Sequence, residues 1–201
     1  LVQDNLLPGK HLYLIATGTG LAPFLSIIRD PEIYEQYDKI ILTHGCRFTE
    51  ELAYRELITE HLPQHEYLGE AVRDKLIYYP TVTREKFENN GRLTDLLRIG
   101  KLPADIGLPP INAETDRFMI CGSPSMLKEI CALLESRGFT AESFHAFHPG
   151  GRLGASVHFV RAIMHSGDAI PLAPLGTVMG EAIKIGRRGS VNVWLEVEGR
   201  E

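Results

Sequence analysis

The feature that most constrains this chain is where two glycines fall. Gly18 and Gly20 follow directly on the short apolar run His11 to Thr17 and stand just before Leu21-Ala22-Pro23-Phe24, where a helix can begin. A proline loses nothing in the first helical turn, because its missing N–H has no partner there in any case. A strand that ends in glycines at the mouth of a helix is the building unit of a parallel sheet with crossover helices. Three further apolar runs, Lys39 to His44, Leu76 to Thr83 and Arg117 to Gly122, repeat the pattern with helical stretches between them. The last is followed by the clearest helix: Ser123 as cap, Pro124 in the first turn, Leu127, Ile130, Cys131 and Leu134 at helical spacing, and Gly138 as the stop. A second helix is expected from Thr49, with Glu50 and Glu51 in its first turn and the pairs Ala53 with Leu57 and Tyr54 with Ile58 four apart. The order predicts an α/β fold, a three-layer doubly wound parallel sheet with a ligand crevice at the carboxyl ends of its strands. Residues 1–142 are assigned to this domain. Residues 143–201 form an irregular C-terminal tail of different texture, with a short helix over Arg161 to Gly167 and a strand over Val191 to Val197.

Three clusters could carry chemistry. Thr17, Gly18, Thr19, Gly20, Leu21, Ala22 and Pro23 form an anion cradle by position, since glycines let a backbone approach a phosphate and a helix start supplies N–H donors. An ordinary glycine turn is the other reading. Pro23 stands where the third glycine of GxGxxG would be, so the motif is not the common dinucleotide fingerprint. Cys121, Gly122, Ser123 and Met126 form a second strand-to-helix turn, and the two turns together make a slot that a flat ring could enter. Cys121 can border that slot or simply pack as a small buried hydrophobe. The third cluster is Thr83-Arg84, Arg92 and Arg47, guanidinium groups at strand ends that match a phosphate in shape and charge; each could also be a solvated surface arginine. An NAD site calls for an acid near the second strand end to hold the ribose, whereas this chain has His44-Gly45-Cys46-Arg47 there. NADP fits that end better.

Taken together, GTGLAPF, YYPTVTRE, GRLTDLL and CGSPSM resemble, in order and spacing, the NADP-binding half of bacterial ferredoxin-NADP reductases over about residues 1–135. The resemblance implies that Thr17 and Cys121 border the nicotinamide, that Gly18 to Ala22 lie along the pyrophosphate, and that Arg84, Arg92 and Arg47 hold the 2′-phosphate. It implies hydride transfer between NADPH and FAD, with ferredoxin or flavodoxin as electron partner. The flavin-binding barrel of that family is expected upstream of this chain. Plastid-type relatives stack a tyrosine on adenine where this chain has Thr94.

From Arg137 to Leu172 the phrases RGFTAESF, HPGG and IMHSGDAIP resemble another family, the arabinose 5-phosphate isomerases, so the chain reads as a join near Arg137 to Ser143. A non-catalytic nucleotide-binding or scaffold module and a sugar-phosphate isomerase fragment are the alternative functions. Lys plus Arg number 21 against 26 Asp plus Glu, a net charge of −5 without the basic field that nucleic acid requires. No apolar stretch approaches the roughly 20 residues of a membrane span. Three widely spaced cysteines suit neither a disulfide framework nor a metal site and point to the cytoplasm. His145 and His148 lack a third ligand. A monomer is expected.

Overall fold

The computed structural model describes residues 6–140 and the backbone of 144–147. Four parallel strands, β1 (His11–Thr17), β2 (Lys39–Cys46), β3 (Leu76–Val82) and β4 (Asp116–Cys121), form the sheet, with a fifth, β5 (Phe144–Phe147), beside β4. The spatial order is β3-β2-β1-β4-β5. In register, Ala16 lies between His44 on β2 and Cys121 on β4. The chain therefore moves from β1 outward through β2 to β3, then returns to the other side of β1 for β4. Helices α1 (Ala22–Ile27), α2 (Pro31–Gln36), α3 (Gly69–Lys75), α4 (Leu93–Arg98), α5 (Lys101–Asp105) and α6 (Pro124–Ser136) fill the connections. α2 packs on α3, and α4 packs on both α5 and α6. Such a partition follows from right-handed crossovers, which put helices on one face while the chain moves one way and on the other face after it reverses. The reversal leaves a topological switch point between β1 and β4.

The middle stretches of the central strands are continuous apolar runs because both faces are covered. Leu12 to Ala16, Ile40 to Leu42 and Phe118 to Cys121 are buried. Tyr13 stacks on Phe118 at 4.7 Å between ring centroids, and Phe139 meets Phe118 edge-on at 5.2 Å. On α6 the buried stripe is Met126, Leu127, Ile130 and Leu134, while Cys131 lies at its half-buried margin. Gly138 stops that helix at φ +84°, a backbone angle that suits glycine.

The helix expected from Thr49 does not form. Thr49–Glu51 is a single 3₁₀ turn, Tyr54 takes φ +61°, and Leu57–His61 is a π-helical turn that runs into a second 3₁₀ turn at Leu62–Gln64. Thr49 caps nothing. Instead the Glu51 carboxylate accepts from the N–H groups of Arg47 and Phe48 at 2.8 and 3.3 Å, which folds the segment back on the end of β2. The fifth strand falls inside the stretch that the sequence reading set apart as tail. The isomerase-like segment after it, His148, the helix over 161–167 and the strand over 191–197 lie outside the described residues.

Candidate functional site

At the switch point the loops after β1 and β4 touch through their glycines. A Cβ on Gly20 would overlap the Cys121 carbonyl, and one on Gly122 would overlap Thr17 Oγ1 and the Met126 methyl. The Ser123 N–H donates to Thr17 Oγ1 at 3.2 Å, tying the two loops across 106 positions of sequence. Ser123 also caps α6, accepting from the Met126 N–H at 3.4 Å. Gly18 opens a 3₁₀ turn (Gly18–Leu21) at φ +51°, with open space where a side chain would stand. Gly18 and Thr19 are exposed, Gly20, Leu21 and Pro23 are buried, and Ala22 is intermediate. The first amides of such a turn have no acceptor within it, which leaves them able to donate to a ligand.

Cys121, the last residue of β4, is buried, and burial pushes its thiol up to about 12. Burial likewise raises Cys46 and Cys131 to about 11. All three are therefore neutral thiols near pH 7, which suits a wall and not a nucleophile. Among the described residues no group of His, Cys, Asp and Glu could hold a metal ion. A thiol-exchange reagent such as DTNB is expected to titrate these cysteines slowly in the folded protein at pH 7.5 and at once in denaturant; fast labelling of Cys121 without denaturant would contradict the assignment.

Two of the three arginines meet at one rim. The Arg84 N–H donates to the Arg47 carbonyl at 2.9 Å, and both the N–H and hydroxyl of Thr83 donate to the Cys46 carbonyl at 3.2 and 3.3 Å. The Glu85 carboxylate accepts from the Thr49 hydroxyl and from the Thr49 N–H, which together hold that carboxyl below its ordinary range. Arg92 sits near the same edge by its backbone. The preceding Gly91 N–H donates to the Val82 carbonyl at 3.2 Å, and the following Leu93 lies against Gly45. Its guanidinium, however, turns to Glu129 of α6 at 3.1 Å. Both partners of that pair are partly exposed, and such pairs contribute at most about 1 kcal/mol. Thr94 is buried and offers no surface for a base.

Sequence reasoning gave His44, Glu51 and Glu85 no part in the site. The imidazole of His44 is buried, with Nε2 3.0 Å from the Gly18 carbonyl. A histidine near the end of an otherwise apolar interior strand was the available signal. Glu51, four residues past Arg47, reads as a first-turn acid of the expected helix, and Glu85, next to Arg84, as a charge at the strand end.

A parallel sheet that reverses between β1 and β4, with glycine loops packed backbone to backbone at the reversal, defines an α/β nucleotide-binding domain. The family model described as oxidoreductase NAD-binding domain matches residues 14–132, and the chain belongs to that family. It is 67% identical over 138 residues to the ferredoxin-NADP reductase of Azotobacter vinelandii, covering 69% of this chain and 54% of the relative. The flavodoxin/ferredoxin-NADP reductase of Rhodobacter capsulatus is 50% identical over 138 residues, covering 69% and 51%. Among solved structures, a ferredoxin NADP+ reductase from Neisseria gonorrhoeae with bound FAD and NADP aligns with a TM-score of 0.62 at 28% identity, over 71% of this chain and 57% of that one. The chain spans about half the length of the curated relatives it matches.

Proposed function

We propose that this chain is the NADP(H)-binding half of a flavin-dependent ferredoxin- or flavodoxin-NADP reductase that works in the cytoplasm as a monomer. The observation that carries the reading is the junction of Gly20 with the Cys121 carbonyl, beside a rim where Arg47 and Arg84 are joined backbone to backbone. Only glycine allows that approach, and the joined backbones of Arg47 and Arg84 put two permanently charged side chains on the strand-end loops next to it. The residues present fit an extended phosphorylated dinucleotide. Gly18 to Pro23 would follow the pyrophosphate, Arg47, Thr83 and Arg84 the 2′-phosphate, and Thr17, Cys121, Gly122 and Ser123 the ring end. Met126 supports the second turn from below. When bound, the nicotinamide supplies hydride chemistry with the FAD of the partner domain. The Thr17 hydroxyl already accepts from Ser123, so its own proton is left to donate to a ligand at the rim. The neutral Cys121 keeps that end uncharged. Arg92 becomes a third phosphate arm by exchanging Glu129 for the ligand, an exchange the exposed pair allows.

Arg84→Ala tests the reading. A charge-assisted hydrogen bond contributes roughly 1.5–3 kcal/mol, so NADP affinity should fall about tenfold or more. NAD, which lacks the 2′-phosphate, should bind the variant as it binds the parent. Calorimetric titration with both coenzymes decides; an equal loss for the two removes Arg84 from the phosphate site.

A further inference from the structure

His44 has one ring nitrogen in use and one without a partner. Nε2 lies 3.0 Å from the Gly18 carbonyl, while Nδ1 is buried with no hydrogen-bond partner among the described residues. A carbonyl only accepts, so Nε2 carries the proton. Burial pulls the imidazole below the usual histidine pKa, against the Gly18 bond and the Glu51 charge, and the ring is neutral near pH 7. The Cys46 sulfur lies 3.3 Å from the same nitrogen and 3.4 Å from the Glu51 carbonyl, which takes the thiol proton. An unpaired buried nitrogen is unfavourable. An aliphatic side chain in this place would avoid that cost, so the distinctive contribution of the ring is its bond to Gly18.

That bond has a geometric consequence. Because the peptide group is planar and trans, the Gly18 C=O and the Thr19 N–H point in opposite directions. His44 belongs to β2, so its bond to the Gly18 carbonyl ties the loop after β1 to the neighbouring strand and fixes the direction of the Thr19 N–H along with that carbonyl. Gly18 needs such a tether. At φ +51° and without a side chain, its peptide is held by the bonding of its 3₁₀ turn and by the bond from His44, which comes from another element.

We propose that His44 is a positioning residue for the nucleotide: it holds the Gly18 carbonyl so that the Thr19 N–H faces the pyrophosphate. The inference rests on the nucleotide reading above. It separates two kinds of contact, since adenosine 2′-monophosphate carries the 2′-phosphate and no pyrophosphate. In the ¹⁵N-labelled full chain, NADP should shift the Thr19 amide resonance strongly and adenosine 2′-monophosphate should leave it in place. His44→Leu, which removes the donor, should weaken NADP about tenfold and adenosine 2′-monophosphate by less than twofold. His44→Gln, whose side-chain N–H can reach the Gly18 carbonyl, should recover NADP binding to within about threefold of the parent. A Thr19 amide unmoved by saturating NADP overturns the proposal without any variant. Equal loss of both ligands in His44→Leu also overturns it, by making the ring a packing element only. A parent chain that binds no NADP would instead sink the nucleotide reading, and the role of His44 with it.

Discussion

Gly20→Ala is expected to lower stability by about 3 kcal/mol and to abolish coenzyme binding by the fraction that still folds. The new methyl group would meet the carbonyl carbon and oxygen of Cys121 and, at 3.0 Å, the Gly122 nitrogen, all of them backbone atoms at the end of an interior strand. No rotamer change relieves that contact; the ends of β1 and β4 must part. Gly122→Ala should be milder, near 1–2 kcal/mol, because two of the atoms in its way are the tips of the Thr17 and Met126 side chains. Gly18→Ala meets no atom and should cost only about 1 kcal/mol for its left-handed backbone angle. For a chain of this size 3 kcal/mol corresponds to a fall in melting temperature of about 6–12 °C. Thermal melts followed by circular dichroism should therefore rank the variants Gly20, then Gly122, then Gly18. A Gly20→Ala protein that melts with the parent would mean that the two loops do not pack as described.

The order of that series could not be read from the chain. The strand ends could: β1 runs from His11 to Thr17 as its apolar run implies, and the starts of β2, β3 and β4 agree to within one residue. Interior parallel strands announce themselves as unbroken apolar runs, and α6 does so through its cap, its proline and its 3.6-residue spacing. What was hidden is short or depends on contacts distant in sequence. Helices α2 to α5 have five to seven residues, too few for a periodic stripe to stand out, although Asp30 before Pro31 does cap α2 by accepting from the Glu32 N–H. The pairs four apart after Thr49 looked helical, yet Glu51 is drawn back to the Arg47 and Phe48 amides and Tyr54 turns left-handed. In the site, the glycines and the Arg47 and Arg84 rim follow from strand-end positions alone. The direction taken by the Arg92 guanidinium depends on Glu129, 37 residues away on another element, and the partner of His44 on a loop 26 residues back. Local pattern carries no trace of either.

Arg117→Met is expected to destabilise the fold by at least about 3 kcal/mol while leaving coenzyme affinity intact in the protein that remains folded. Arg117 is 5% exposed, and its guanidinium donates to five backbone carbonyls: Leu7 and Pro8 ahead of β1, and Ala113, Glu114 and Asp116 around the start of β4. Gly9 lets the chain pass over it, since a Cβ there would come within 2.8 Å of the Arg117 side chain. Methionine fills similar space and leaves those carbonyls without their donor. Lysine keeps the charge but not the planar fork, so Arg117→Lys should recover only part of the loss. The contrast with Gly20 lies in position. Arg117 is the second residue of β4 and Cys121 the last, so the clamp and the crevice stand at opposite ends of the same strand. Substitutions at the amino end should change the melting temperature without changing the dissociation constant, whereas Arg84→Ala at the carboxyl end should change the dissociation constant with little effect on melting. An Arg117→Met protein that loses stability and NADP affinity together would show that the two ends are coupled through β4, and the crevice would then depend on how the chain enters β1.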